Sequence, residues 1–259
     1  MEIELLRHAT LILRMAGRTI LVDPMLSAAG AMDPVANAGN DRRVPLTDLP
    51  LTEAALDALL GTLDGVLVTH QHRDHWDQAA RDRLRCDLPL ACPPVDADAV
   101  RAAGFTAVTP VEDRCEWLRL EVIRTGGEHG RGKIGERMGP VSGFVFRAPE
   151  ELSVYVAGDT VWCPAVARTL ATERPDVVVV NAGAAQFLTG GPITMDVPDV
   201  RAVMDAAPWA RLVAVHFEIW NHCQLSRVAL KQALANAGVA GRVMIPADGE
   251  VLRFVPGAT

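Results

Sequence analysis

Four side chains able to bind transition metals fall within six residues of this chain: His70, His72, Asp74 and His75, in the run Val68-Thr69-His70-Gln71-His72-Arg73-Asp74-His75-Trp76-Asp77. Neutral imidazole and ionised carboxylate are ligands for zinc, manganese and iron. The cluster follows Gly65-Val66-Leu67-Val68, an apolar run that reads as a buried strand. Side chains two apart on a strand share a face. A strand ending at Thr69 points His70 and His72 the same way, and a helix starting near Asp74 turns Asp74 and His75 in another direction. One loop can then offer two ligands to one metal and two to a neighbour.

Further candidates follow in order, each at the end of an apolar segment. His129 lies in Gly126-Gly127-Glu128-His129-Gly130, after the strand-like run from Trp117 to Ile123. Asp159 lies in Val156-Ala157-Gly158-Asp159-Thr160, and His216 in Leu212-Val213-Ala214-Val215-His216-Phe217. Loops after core strands are where a rigid scaffold places functional groups. Taken singly, His216 reads equally as a satisfied core histidine and Asp159 as a helix N-cap. With the cluster upstream, a shared metal centre accounts for all of them together.

On these motifs the chain resembles the metallo-β-lactamase-fold hydrolase superfamily. It carries His-x-His-x-Asp-His, a later His, a Gly-Asp-Thr aspartate and a final His after a strand. The likeness runs from the opening hairpin with Asp23-Pro24 past His216, and Arg7-His8-Ala9-Thr10 is most similar to the ascorbate-phosphate lactonase branch. The resemblance implies an α/β (α+β) fold, a four-layer αββα sandwich. It implies two divalent metal ions, Zn2+ first, with Mn2+ or Fe2+ as alternatives. His70, His72 and His129 would hold one ion, Asp74, His75 and His216 the other, with Asp159 bridging. The implied reaction is hydrolysis, a hydroxide between the two ions attacking a small ester, lactone or amide carbonyl. The same core serves phosphodiesterases, and the scaffold also hosts iron-dependent oxidoreductases such as persulfide dioxygenases. The complete ligand set weighs against a single iron. Asp74, His222, His8 and Glu218 are the candidates for moving a proton to the leaving group, with His222 preferred to His8 as a site-lining residue.

With 259 residues, 49% of them hydrophobic, the chain has material for one large core, and no linker divides it, so residues 1–259 read as a single domain. A formal net charge of −7 disfavours nucleic-acid binding, which needs a basic face. No apolar run is long enough to cross a bilayer. The acidic start, Met1-Glu2-Ile3-Glu4, enters a strand directly and does not read as a secretory signal. Five cysteines without a Cys-x-x-Cys pair suggest reduced thiols and a cytoplasmic location. Cys163 and Cys223 lie close in sequence to Asp159 and His216, and buried packing is their expected role. The expected partner is a small-molecule substrate. Arg131 and Lys133, with Arg137 in the glycine-rich loop after His129, offer a patch for an anionic group, or form a solvated loop.

The elements that must position these residues are strands with interspersed helices. Strands are expected at Ile3 to Leu6, Leu11 to Leu13, Thr19 to Val22, Pro175 to Val180, Arg242 to Ile245 and Val251 to Phe254. Helices are expected from a Thr52 cap to about Leu60, after Asp77, from Asp96 to Ala103, from Pro198 to Ala207, and after a Ser226 cap. From Pro24 to Pro50 the chain loses periodicity, and a loop this long is expected to act as a lid or as a contact in a homo-oligomer.

Overall fold

Apolar side chains alternate between two faces in strand after strand, and the computed structural model, which describes residues 1–255, shows where each face goes. The last four residues of the expected 1–259 domain lie outside the described residues. The strands are β1 (Glu2–Arg7), β2 (Thr10–Met15), β3 (Arg18–Val22), β4 (Gly65–Leu67), β5 (Leu90–Cys92), β6 (Val108–Pro110), β7 (Arg114–Trp117), β8 (Leu120–Gly126), β9 (Ser142–Arg147), β10 (Val154–Val156), β11 (Val177–Asn181), β12 (Arg211–Val215), β13 (Val243–Met244) and β14 (Val251–Arg253). The helices are α1 (Glu53–Gly61), α2 (Gln78–Arg83), α3 (Ala97–Ala102), α4 (Lys133–Met138), α5 (Pro164–Glu173), α6 (Val197–Ala206) and α7 (Arg227–Asn236).

Two seven-stranded sheets result, in the orders β14-β1-β2-β3-β4-β5-β6 and β13-β12-β11-β10-β9-β8-β7. Their inner faces meet in one core, where Ile3, Leu11 and Val22 lie in the same cluster as Phe144, Val179 and Val213. On the outer face of the first sheet, Ile12, Leu21 and Val66 cluster with Leu56 of α1, Ala80 of α2 and Val100 of α3. On the outer face of the second, Tyr155, Val178 and Val180 cluster with Leu170 of α5, Val203 of α6 and Leu230 of α7. This is the expected four-layer αββα sandwich. The run Val177-Val178-Val179-Val180 is apolar at every position because β11 is covered on both faces. Strand β14 closes the chain by pairing antiparallel with β1, Glu2 opposite Arg253.

The expected caps Thr52 and Ser226 are in place, their side chains accepting from the backbone N–H of Ala55 and Ala229, and Asp77 likewise accepts from that of Ala80. Two expectations need correction. The single strand from Trp117 to Ile123 is a hairpin: Leu118 and Arg119, at φ 56° and 64°, form the two-residue turn between β7 and β8. Such turns favour Gly or Asn, and neither marks this one. Helix α2 starts at Gln78, as expected after Asp77, so Asp74 and His75 do not lie in its first turn. Asp74 and His75 sit instead in a turn closed by the N–H groups of His75 and Trp76 donating to the His72 carbonyl at 2.9 and 2.8 Å. Strands β5 and β6, three residues each, are too short for their periodicity to show.

The segment 24–50 is aperiodic but tied down. The buried Arg7 guanidinium donates to the carbonyls of Thr47, Met25 and Ser27 at 2.7, 2.9 and 2.8 Å. Met25 and Val44 pack with Ile219 and Trp220 in a small core of their own. No helix among the described residues is long and apolar enough to cross a membrane.

Phe144 of β9 is fully buried between the two sheets. Phe144→Ala is expected to lower stability by about 3–5 kcal/mol through lost burial and a residual cavity, read as a reduced denaturant midpoint in chemical unfolding. A shift below 1 kcal/mol would show that the sandwich interior is loosely packed.

Candidate metal centre

Strands β3 and β4 run parallel in the first sheet, and β10, β11 and β12 run parallel in the second. The residues that follow them emerge together at the carboxyl ends of the strands, the usual place for a site in such sheets. Asp23 follows β3, Asp159 follows β10, Asn181 ends β11 and His216 follows β12. Gly158 holds φ +69°, and a Cβ there would lie 2.7 Å from the Ser142 carbonyl oxygen, so the approach to Asp159 requires glycine. His8 and His216 occupy the left-handed region at φ 61° and 70°, with the His216 N–H donating to the His8 carbonyl at 2.9 Å. Strained backbone of this kind persists where surrounding structure enforces it, often at functional sites.

All seven histidines of the chain gather here. One set brings His72 Nδ1 within 3.0 Å of His70 Nε2 and 3.2 Å of His129 Nε2. Asp159 Oδ2 lies 3.5 Å from that His129 nitrogen and 4.0 Å from that of His70. A second set surrounds Asp74 Oδ2, with the Nε2 atoms of His8, His216 and His75 at 3.4, 3.6 and 3.8 Å. Asp159 reaches this set too, 3.3 Å from His75 Nε2 and 3.4 Å from His216 Nε2. Bonds of about 2.1 Å in tetrahedral geometry place ligand atoms about 3.4 Å apart. The nitrogens of His75 and His216 are buried without a hydrogen bond although they face two carboxylates. The donor set therefore fits metal ions better than it fits itself.

Partners behind the ligands fix their orientation. Asp23 Oδ2 lies 2.8 Å from His75 Nδ1, and the same carboxylate accepts from the Thr69 N–H and hydroxyl at 2.7 Å each. The Ile193 carbonyl lies 2.8 Å from His129 Nδ1, and Asn181 Nδ2 donates to Asp159 Oδ1 at 2.6 Å. Asp23 and Asn181 were not singled out as site residues from sequence. The available signal was one polar residue closing each of two apolar strand runs, Thr19 to Val22 and Val177 to Val180.

Burial holds the His70 and His129 imidazoles below their usual pKa, leaving neutral rings with lone pairs for a metal. Burial also opposes charge on His75, but Asp159, Asp23 and Asp74 outweigh it and raise that ring to about 10. Burial is likewise outweighed at His216, which Asp159 raises well above the ordinary range. The carboxyl groups of Asp74 and Asp159 resist the effect of burial because the surrounding imidazoles hold them well below the usual range.

From these sets His72, Asp74, His129 and Asp159 reach the floor of a cavity of about 220 Å³. Val35, Ala36, Met138, Phe187, Ile193 and Trp220 make its apolar wall. The segment 24–50 thus serves as a wall. Asn221 pins it there, accepting from the Val35 N–H at 2.9 Å and donating to the carbonyls of Val35 and Asn40 at 3.1 and 3.0 Å. His222 faces the cavity, and burial lowers its ring to about 4, so it is neutral at pH 7. The same burial disfavours its protonated form, so the ring there is a weak base that can still donate or accept a hydrogen bond. His8 is fully buried behind His216, their ring centres 3.6 Å apart, and is not among the residues facing the cavity. Glu218 is engaged by Arg227. Arg131 pairs with Asp199 at 2.6 Å, and neither Arg131 nor Lys133 lines this cavity. Lys133 begins α4 where a flexible loop was expected, and Arg137 borders an adjoining outer cavity of about 300 Å³. Cys163 is buried and Cys223 half-buried, its sulfur 3.8 Å from His216 Nδ1, and all five cysteines are free.

The family model for the β-lactamase superfamily domain matches residues 2–216. Over 257 residues the chain is 36% identical to the UPF0173 protein YddR of Bacillus subtilis, covering 98% of this chain and 100% of that one. An isothiocyanate hydrolase from Delia radicum gut bacteria superposes with a TM-score of 0.91 at 34% identity, covering 98% of this chain and 99% of that one. A protein of Veillonella parvula, described as a possible metal-dependent hydrolase, superposes with a TM-score of 0.92 at 30% identity, covering 97% and 98% of the two chains.

Asp23→Asn keeps the shape beside His75 but removes the charge that orients it. Metal affinity is expected to fall about 10–100-fold, measured by competition with a chromogenic chelator. Unchanged affinity would mean that Asp23 only shapes the backbone. At pH 7 the metal-free protein carries protons on His75 and His216, whose folded-state values are raised, and a metal requires both rings neutral. Metal uptake is therefore expected to release about two protons per chain at pH 7 and to tighten as pH rises toward 10. Indicator-dye titration in weak buffer measures the release, and no release would contradict these protonation states.

Proposed function

The chain belongs to the β-lactamase superfamily and is a metal-dependent hydrolase of that fold, and from this premise we propose that it holds two divalent ions, zinc first, and hydrolyses small electrophilic carbon compounds. The observation that carries the reading is Asp159, shared between two histidine sets at the floor of a small cavity. His70, His72 and His129 would hold one ion, and Asp74, His75 and His216 the other, with His8 beside Asp74 in the second set. When bound, such a pair lowers the pKa of water to about 7 and polarises the bond under attack.

The chain's own residues do the rest. Asp159 accepts from Asn181 and so keeps one orientation toward both sets. Asp74 faces the cavity and can accept the proton given up by the attacking water. His222, neutral and lining the same cavity, can hold the leaving atom by donating a hydrogen bond from its ring N–H. The apolar wall excludes water and suits a substrate with an apolar side. Small esters, lactones and amides meet these demands. So do isothiocyanates, the substrates named for the relative with 34% identity. Water adds to the central carbon of R–N=C=S, giving a thiocarbamate that releases the amine R–NH2 and carbonyl sulfide.

Elemental analysis of protein purified without added metal is expected to find about two zinc or manganese ions per chain. Such protein is expected to turn over at least one member of a panel of isothiocyanates, lactones, esters and phosphodiesters, with activity lost on chelation. Asp159→Ala is expected to reduce metal content and turnover together. Normal loading and turnover in that variant would sink the shared-ligand assignment, and one iron per chain would move the reading to oxygen chemistry.

A further inference from the structure

Arg73 stands between the ligands His72 and Asp74 in sequence and lines the same cavity. Its guanidinium carbon lies 4.9 Å from the centre of the Trp220 ring. Among the described residues it has no hydrogen bond to protein and no carboxylate within ion-pair distance. Arginines elsewhere in the fold are held by partners: Arg131 by Asp199, Arg81 by the Trp76 carbonyl, and Arg227 by Glu218 and Asp248. The two carboxylates that face the cavity, Asp74 and Asp159, are committed to the histidine sets. Arg73 is therefore a half-buried cation without a counter-ion, at the mouth of the site.

A guanidinium lying over an aromatic ring uses its face for the contact and leaves its N–H edge free. That edge is a planar fork of donors matched to two oxygens of one carboxylate. Trp220 is itself immobilised, packed with Met25, Val44 and Ile219 and only 2% exposed, so the platform under Arg73 is rigid. The apolar wall lies beside this fork.

We infer that Arg73, stacked on Trp220, is the anion-recognition group of the cavity, and that the substrate is a small organic acid with a carboxylate beside an apolar group. This rests on the hydrolase reading for its chemistry but is tested by binding alone. The cation expected of Arg131 and Lys133 is thereby supplied by the metal-binding loop itself.

The test uses the metal-loaded protein and two probes of nearly equal shape, phenylacetate and its neutral counterpart phenylacetamide. Binding is read by calorimetry and by Trp fluorescence. Wild-type protein is expected to bind the acid at least about tenfold more tightly than the amide. R73Q is expected to lose that preference, and R73K to retain part of it, since lysine keeps the charge without the fork. Metal content is measured for each variant, and the acid-versus-amide comparison in wild-type protein requires no variant to fold. No preference for the acid in wild-type protein overturns the inference. A full preference that survives in R73Q also overturns it, because the metal ions alone would then be reading the anion. A preference lost in R73Q while the substrate panel shows no turnover would leave Arg73 standing and remove the proposed ester, lactone and isothiocyanate substrates instead.

Discussion

A carboxylate buried within 4.0 Å of four imidazole nitrogens, as Asp159 is, must be offset by positive charge, because desolvating an unpaired ion costs several kcal/mol. In the metal-free chain that charge comes from protons on His75 and His216. A divalent ion supplies it better, since it also satisfies nitrogens that otherwise lack a hydrogen bond. Much of the surrounding architecture serves this cluster. Gly158 lets the chain approach Asp159, Asn181 holds one of its oxygens, and Asp23 holds the histidine on its far side.

The sandwich makes such a cluster affordable. Its interior is filled by valine, leucine and phenylalanine from both sheets, so the polar residues are confined to the strand ends. Parallel strands direct those ends to one edge, where ligands separated by more than a hundred residues meet. The left-handed backbone at His8 and His216 is the visible strain of that convergence. Arg7 and Asn221 then anchor segment 24–50 over the edge and turn an open rim into a walled cavity.

Selectivity in this arrangement lies above the metal floor. With metal bound, the candidate ligand sets would serve attack on many electrophiles and discriminate little among them. On the proposed reading, discrimination would belong to the six apolar wall residues and to the polar groups beside them, Arg73 and His222. Two of those walls come from loops with no secondary structure of their own, around Val35 and Phe187.

The sequence by itself determined the candidate ligand types and most of the scaffold. The His70 to His75 cluster, the strand-end positions of His129, Asp159 and His216, and the two-sided burial of β11 were all legible, because metal chemistry restricts residue types and strand burial imposes a period of two. The caps Thr52 and Ser226, and the helix that follows Asp77, were legible for the same local reason. Tertiary structure decided what depends on distance across the fold. It placed His8 against Asp74 and not in the cavity, committed Arg131 to Asp199, and set Arg73 unpaired on Trp220. It also chose the partners of Asp23 and Asn181, His75 and Asp159, where the local pattern marks only a polar residue closing each strand. Hydrogen bonds and ion pairs between residues far apart in the chain leave no periodic trace in the sequence, and only the packed sheets bring such partners within reach.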